Sequence, residues 1–93
     1  MWWIEEHRRL DRQLVSAPRE LLARYEKWKD VAVFSGPFGL RLLKGFHDES
    51  LTGEWSGYRS SRLGLKSRVI YRFVAEERLF QVVSITAHDY RRS

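Results

Sequence analysis

The spacing of hydrophobic residues changes near the middle of the chain from a helical period to a strand period. In the first part, apolar residues recur at helical intervals and predict one helix over about residues 5–15 and a second over about residues 18–34. Gly36-Pro37 is a stop signal and predicts the end of the second helix. A short strand over residues 2–4 is the one element predicted ahead of the helices.

The second helix carries a stripe of large apolar side chains. Tyr25 and Trp28 lie on this stripe, with charged residues such as Arg24 and Lys27 on the other side. A stripe at this spacing is what burial against a sheet requires. We therefore predict that these aromatic residues pack in the core and do not bind a ligand.

After Gly36-Pro37 the pattern loses its period and then alternates. Residues 38–54 predict a long loop with a short strand at 40–43, and loops of this length often carry function. Alternating residues rich in Val, Ile, Tyr and Phe then predict three strands, at residues 58–63, 68–75 and 79–87. Helices followed by a meander indicate an α+β fold in one domain, residues 1–93. Two N-terminal helices are expected on one face of a small antiparallel sheet, and the other face is expected to be open and basic.

Alternation along the middle strand separates its side chains into two sets. Val69, Tyr71 and Phe73 should face the helices, since they are apolar or aromatic at every second position. Arg68 and Arg72 fall in the other set and should lie on the open face.

Two hairpin loops decide which other residues join these arginines. A two-residue loop at Gly64-Leu65 would place Arg59 and Ser61 beside Arg68, whereas a loop longer by one residue would place Arg62 there instead. In the same way, a two-residue loop at residues 76–77 puts His88 on the face opposite to Arg68, and a longer loop or a bulge puts it alongside. The sequence leaves this second choice open.

Charge supports the idea of a basic face. The 93 residues carry a net charge of +5, and residues 41–93 hold ten basic against six acidic side chains, whereas residues 1–40 hold seven against six. The window from Trp55 to Ala75 contains five basic residues and no acidic one. Arginine outnumbers lysine by 13 to 4, and its planar fork suits phosphate oxygens. Nucleic acid and mere solubility are both compatible with this charge.

Several kinds of chemistry are excluded by composition. The chain has no Cys, which excludes disulfides, thiolate nucleophiles and zinc ribbons. Its three His residues do not have the spacing of metal ligands, and it has no Gly-rich phosphate loop. No cofactor or metal is therefore expected. The apolar start is too short for a signal or a membrane span, so a soluble, cytoplasmic protein without membrane contact is expected.

Three segments carry a likeness to a known family. They are Leu51-Thr52-Gly53-Glu54-Trp55-Ser56-Gly57-Tyr58-Arg59, then Ser67-Arg68-Val69-Ile70-Tyr71-Arg72, and the end Thr86-Ala87-His88-Asp89-Tyr90-Arg91-Arg92. The chain resembles the RelE/ParE toxin superfamily, nearest to the RelE, YoeB and YafQ-like mRNA interferases. The likeness covers nearly the whole chain and is most specific from Leu51 to Arg72.

The resemblance implies the toxin of a type II toxin–antitoxin pair. Such a toxin enters the ribosomal A site, cleaves the mRNA without a metal by attack of the ribose 2′-OH, and is held inactive by its cognate antitoxin. The implied partners are thus an antitoxin, the 70S ribosome and mRNA; the sequence leaves open whether the free protein is a monomer or a homodimer. The alternatives are a ParE-like inhibitor of DNA gyrase and an RNA-binding module without catalysis.

The resemblance also implies roles for four residues. Arg68 would stabilise the charge of the transition state, and His88 would be the general acid. Tyr90 would stack on or orient the scissile nucleotide. Glu49 would be the base, although Asp48 and Glu54 compete for that role. The alternative for Arg68 is an arginine that only binds RNA. For His88 and Tyr90 it is a structural side chain, and for Glu49 a solvated carboxylate.

Further basic residues are candidates for RNA binding. On the predicted basic face or near it these are Arg59, Arg62, Lys66 and Arg72, and outside it Lys44, Arg91 and Arg92. Each could equally be a plain solvated cation. The histidine that YafQ-like members place after the Gly-Tyr-Arg run is replaced here by Arg62, so the multi-histidine site of that branch is absent.

Overall fold

The computed structural model describes residues 1–86, which form two helices and five strands. The helices are α1 (Arg9–Val15) and α2 (Arg19–Leu42). The strands are β1 (Trp3–Glu6), β2 (Glu49–Ser50), β3 (Arg59–Arg62), β4 (Arg68–Val74) and β5 (Leu79–Thr86). Among these residues, no helix has the length and apolar character needed to cross a bilayer.

All five strands belong to one sheet in the order β1-β5-β4-β3-β2. Strands β2 to β5 pair antiparallel, as the alternating pattern predicts, and β1 runs parallel to β5 at the far edge. The predicted α+β class is confirmed, and the parallel edge strand makes the sheet mixed. The first helix starts at Arg9 and not near residue 5, because Trp3–Glu6 are used as a strand.

Helix α2 is kinked at Gly36, whose backbone is not helical (φ 67°, ψ −168°). The helix resumes at Pro37, a residue tolerated in a first helical turn because it has no N–H to place. The predicted loop from residue 38 and the predicted strand at residues 40–43 are therefore wrong, since the chain is helical up to Leu42. A side chain at Gly36 would also collide with Trp2, whose indole Nε1 is 2.6 Å from the position of a Cβ.

The core lies between α2 and the helix-side face of the sheet. Trp28 is fully buried, and its ring packs against Tyr25, Tyr71 and Phe80 at centroid distances of 5.2 to 6.0 Å. Leu10 of α1 joins the same cluster. The prediction that the aromatic stripe of α2 forms the core is confirmed.

The hairpin between β3 and β4 has the longer of the two loops considered from the sequence. Arg62 pairs with Arg68, and the Leu63 N–H donates to the Ser67 carbonyl at 2.8 Å, so three residues make the turn. This register puts Arg62 on the open face with Arg68. It puts Arg59 and Ser61 on the helix side, so their predicted place on the basic face is wrong.

A bulge interrupts the pairing of β4 with β5. Tyr71 pairs with Val82 but Ile70 pairs with Ser84, which leaves Val83 as the extra residue. The bulge explains why Val82 and Ile85, three positions apart, both belong to the helix-side core. After it, Arg68 pairs with Thr86, which is the register of the bulged alternative.

Helix α1 continues along the edge of β5 where β1 stops. The Gln13 carboxamide accepts the Ile85 backbone N–H at 2.8 Å and donates to Ser84 Oγ at 3.1 Å. This side chain supplies a bond that a further strand residue would have made. The last part of β5, beside Arg68, is thereby held in place.

A small apolar cluster covers part of the open face. Ile70 and Leu51 are buried there, with Trp55, Tyr58 and Val83 packed on them. The short 3-10 turn Gly53–Trp55 brings the Trp55 ring over this face. The rest of the face, where Arg62 and Arg72 are exposed, remains accessible.

Candidate active site

Arg68 stands at the start of β4 and is held from three directions. Its Nε donates to Ser60 Oγ at 2.8 Å, and Nη2 donates to the His47 carbonyl at 2.9 Å. The same Nη2 lies 3.3 Å from Glu49 Oε2. The side chain is 12% exposed, and Nη1 makes no hydrogen bond to any of residues 1–86. Within residues 1–86, Arg68 therefore has a fixed orientation and an Nη1 group without a partner.

Glu49 is the carboxylate that the fold brings to Arg68. It lies in β2 opposite Ser60, and its side chain is 39% exposed. Asp48 points to the helix side and is fully buried, and Glu54 is an exposed residue of a 3-10 turn. Of the three carboxylates considered from the sequence, only Glu49 makes an ion pair with Arg68 within the described part of the chain.

Asp48 is the centre of a buried polar network, which we call the Asp48 network. Its Oδ1 accepts from Arg59 Nε at 2.8 Å and lies 2.7 Å from Arg59 Nη2 in an ion pair. Its Oδ2 accepts from Ser61 Oγ at 2.6 Å and from the Tyr71 hydroxyl. Ser61 in turn accepts from Trp28 Nε1 at 2.9 Å. Every member thus has a partner, as a buried charge requires.

The network shifts the ionisation of two of its members. Burial, followed by the charge and hydrogen bond of Asp48, raises the pKa of the Tyr71 hydroxyl well above its usual value of 10. Burial alone would lower the pKa of Arg59, but the hydrogen bond and charge of Asp48 outweigh it and leave the pKa raised. Both groups therefore stay protonated at any physiological pH.

Arg59 is committed to the Asp48 network and not to the basic face. Besides its hydrogen bond and ion pair with Asp48, it donates from Nη1 to Ser50 Oγ at 2.7 Å, and its side chain is only 18% exposed. The sequence placed it with the RNA-binding candidates because the two-residue hairpin loop would have turned it to the open face. Arg59 therefore does not belong to the basic face.

The other described RNA-binding candidates are exposed. Arg62 projects from the open face next to Arg68, and Lys66 lies in the hairpin turn. Arg72 donates from Nε to Gln81 at 2.7 Å, and its guanidinium lies 5.5 Å from the centre of the Tyr58 ring. These cations can therefore meet an anion from solution.

Lys44 and Arg62 border a cleft of about 200 Å³ together with Arg24 and Lys27 of α2. Its floor is largely apolar, from Leu43, Phe46 and Leu63. Sequence reasoning missed the two helix residues, because their closeness to Arg62 depends on how the 3-10 turn Lys44–Phe46 packs between α2 and β3. Within residues 1–86, Lys27, Lys44 and Arg62 make no ion pair, so this cleft extends the basic surface.

The remaining predicted site residues lie outside the described residues: His88, Tyr90, Arg91 and Arg92. The last described residue, Thr86, is the register partner of Arg68.

Potential metal ligands are not clustered in the described part of the chain. No group of three or more His, Asp or Glu side chains there could hold an ion. The chemistry available among residues 1–86 at this site is that of a carboxylate beside a guanidinium.

Comparison with solved structures identifies the fold. A chain of the archaeal RelE–RelB complex from Pyrococcus horikoshii superposes with a TM-score of 0.76 at 20% identity, over 96% of this chain and 97% of that one. The YoeB/ParE toxin from Agrobacterium tumefaciens gives 0.71 at 14% identity, over 94% and 99%. The toxin–antitoxin complex RelBE2 from Mycobacterium tuberculosis gives 0.61 at 20% identity, over 94% and 98%.

No protein-family model and no curated protein matches the chain. The structural likenesses nevertheless extend over nearly the full length of both partners. The chain therefore has the fold of the RelE/ParE toxin superfamily, which is the fold that the sequence resemblance implied.

Proposed function

We propose that this protein is the toxin of a type II toxin–antitoxin pair and an endoribonuclease that cleaves mRNA in the ribosomal A site. The observation that carries the proposal is the partly exposed Glu49–Arg68 pair on the basic face of the sheet. A carboxylate next to an oriented guanidinium can serve both proton removal and charge stabilisation at one phosphodiester. Neighbours of the same fold are toxins by name, which supports the class.

The proposed reaction needs no metal. Glu49 takes the proton of the ribose 2′-OH, and the 2′ oxygen attacks the adjacent phosphorus. Arg68 stabilises the negative charge of the phosphorane through its Nη1 group. His88 gives a proton to the departing 5′ oxygen, a task that suits an imidazole whose ordinary pKa is about 6.5. The P–O5′ bond breaks, and the products are a 2′,3′-cyclic phosphate and a 5′-OH end. Tyr90 orients the scissile nucleotide.

The basic surface holds the RNA backbone in this proposal. Lys44, Arg62, Lys66 and Arg72 contact phosphates, joined by Arg91 and Arg92. The cleft lined by Arg24 and Lys27 enlarges the same surface. Binding to the ribosome is then largely ionic and weakens steeply as salt is added.

A cognate antitoxin is the proposed protein partner. Related folds are solved as RelE–RelB and RelBE2 complexes, the second described as a toxin–antitoxin complex. The proposed substrate, mRNA on a ribosome, places the action in the cytoplasm.

The test is cleavage of a defined mRNA on programmed 70S ribosomes by the purified protein. We expect cuts at codon positions, with cyclic phosphate and 5′-OH ends. Glu49→Gln should lower the cleavage rate by about 10²-fold or more, as for loss of a general base. Glu54→Gln is the matched control, because it removes an exposed carboxylate five residues further on without touching Arg68.

Intact mRNA in this assay would contradict the nuclease. If the same preparation blocked supercoiling by DNA gyrase, the ParE-like alternative would replace it. If it bound RNA but affected neither reaction, a non-catalytic RNA-binding module would be the better description. Equal effects of Glu49→Gln and Glu54→Gln would keep the nuclease and remove Glu49 from the mechanism.

A further inference from the structure

We propose that Asp48 is a positioning residue, which acts from the helix side of the sheet to hold Arg68 in its working orientation on the open face. The inference rests on the proposed function insofar as it assigns Arg68 a working role. Asp48 itself is fully buried and cannot reach a substrate. It acts through its two neighbours in the chain.

The two neighbours of Asp48 both hold Arg68. The His47 carbonyl accepts from Arg68 Nη2 at 2.9 Å, and the Glu49 carboxylate lies 3.3 Å from the same nitrogen. Between them, the Asp48 side chain points through to the other side of the sheet. Asp48 and Glu49 thus take opposite faces of the sheet, as successive side chains along a strand do. Any shift of Asp48 therefore moves both contacts of Arg68 together.

The backbone at His47 turns sharply just before Asp48. His47 has a left-handed conformation (φ 47°, ψ 48°), a region that few residues other than glycine enter. The following residue, Asp48, holds this turn in place, since three hydrogen bonds and one ion-pair contact from three side chains fix its carboxylate. The left-handed turn in turn directs the His47 carbonyl to Arg68.

The anchors of Asp48 belong to the strands that carry the site. Arg59 and Ser61 are on β3 and Tyr71 is on β4, whereas Ser60 and Arg68 occupy the opposite face of the same two strands. The Asp48 network thus ties the segment 47–49 to the backbone from which Arg68 projects. An ion pair that served only the stability of the core would not need to join these particular strands.

The chain contains a matched control for the experiment. Tyr25, like Tyr71, is a buried tyrosine of the same core whose hydroxyl donates to a carboxylate, that of Glu6. Burial and then Glu6 raise the pKa of Tyr25 just as burial and Asp48 raise that of Tyr71. Tyr71→Phe and Tyr25→Phe therefore remove the same kind of hydroxyl from the same core, but only the first touches the Asp48 network.

The primary measurement is the NMR signal of the Arg68 Nε–H in the free protein. We expect Tyr71→Phe to shift this signal and to speed its exchange with water, and Tyr25→Phe to leave both unchanged. In the cleavage assay, Tyr71→Phe should lower kcat by roughly tenfold at constant KM, because a misplaced Arg68 loses contact with transition-state charge more than with bound substrate.

Equal Arg68 signals in the two variants would overturn the proposal and make Asp48 a stabilising residue only. If Tyr71→Phe does not fold, Ser61→Ala takes its place, because it removes another donor to the same carboxylate. A shifted Arg68 signal then supports the proposal, and an unchanged signal overturns it. The NMR readout needs no ribosome. An inactive wild-type protein would therefore refute the nuclease while leaving the positioning role to be decided by Arg68 itself.

Discussion

The two faces of the β3–β4 hairpin carry the same kind of ion pair in two different states. On the helix side, Asp48 is fully buried and both of its oxygens are saturated by Arg59, Ser61 and Tyr71. On the open side, Glu49 is 39% exposed and meets Arg68 at a single 3.3 Å contact. Two adjacent carboxylates thus differ in exposure and in the number of their donors.

This difference distinguishes a carboxylate that stabilises the fold from one that is available for chemistry. A carboxylate whose lone pairs are all used inside the core has no capacity left for a substrate proton. A carboxylate with one long contact and access to solvent has such capacity. Exposure and saturation, and not residue type, therefore distinguish the pair that holds the fold from the pair that we propose acts on RNA.

The largest effect is expected at the buried Asp48–Arg59 pair on the helix side of the sheet. Asp48→Ala leaves the Arg59 guanidinium buried without its partner, and we expect the free energy of unfolding to fall by about 3–5 kcal/mol. Glu49→Ala, one residue further on, should cost at most about 1 kcal/mol, because its pair with Arg68 is partly exposed. Urea unfolding of the two variants measures the contrast. Similar losses would show that the two faces are not energetically distinct.

The next largest effect is expected on the open face, where the loss should be in mRNA cleavage and not in stability. Arg68→Ala should lower mRNA cleavage by about 10²- to 10³-fold, as for loss of a donor to a charged transition state. Arg62→Ala is the matched control, since Arg62 is the register partner of Arg68 on the same face. We expect it to weaken cleavage only at low enzyme concentration. A loss of equal size at saturation would mean that Arg68 is one cation among several.

Alkaline pH should weaken the buried hydrogen bond from Tyr71 to Asp48. The pKa of Tyr71 is raised in the folded protein, so the folded state keeps a proton that the unfolded state releases above pH 10. The stability that Tyr71 contributes is therefore complete below about pH 10 and is lost as the pH rises further. We expect the difference in unfolding free energy between wild type and Tyr71→Phe to shrink by about 1.4 kcal/mol per pH unit.

Tyr25→Phe should show the same trend, because the pKa of Tyr25 is raised through burial and Glu6. Urea unfolding between pH 9.5 and 11.5 tests both variants. A difference between wild type and variant that stays constant across this range would contradict the protonated, hydrogen-bonded hydroxyls.

The smallest effect is expected from single cations around the cleft. Lys44→Gln should weaken ribosome binding by removing one phosphate contact and should reduce the slope of log K against log salt by about 0.9 or less. A salt titration of binding measures it. Lys29→Gln is the control, because Lys29 is already paired with Glu26 at 2.9 Å and lies outside the cleft. Identical slopes for the two variants would remove the cleft from the RNA surface.

The sequence predicted the parts of the fold that depend on local pattern. Alternation placed Tyr71 in the core and Arg68 on the open face, because a strand buried on one side must separate its side chains in this way. Helical spacing likewise predicted that the aromatic stripe of α2 is buried. The helical segment after Gly36 could not be predicted, because Gly followed by Pro signals the end of a helix whether or not a new helical turn follows.

The sequence could not predict the parts that depend on register. A hairpin loop of three residues in place of two moved Arg59 to the core and Arg62 to the open face. Nothing in Gly64-Leu65 decides between the two loops. For the same reason, Glu49 and Asp48 were not separable as candidate bases, since a one-residue shift of β2 would have exchanged their positions.

The extra residue Val83 has a consequence for how this chain tolerates change. If Val83 entered the ladder instead of bulging out, Ile70 would pair with Val83, and Ile85 would take the position beside Arg68 that Thr86 holds now. Deletion of Val83 has the opposite effect, because Ser84 then follows Val82 in the ladder and Thr86 stays beside Arg68. We therefore expect β5 to tolerate deletion of Val83 far better than deletion of a paired residue away from the bulge, such as Phe80, and a deletion scan of β5 read out by folding and activity would show this.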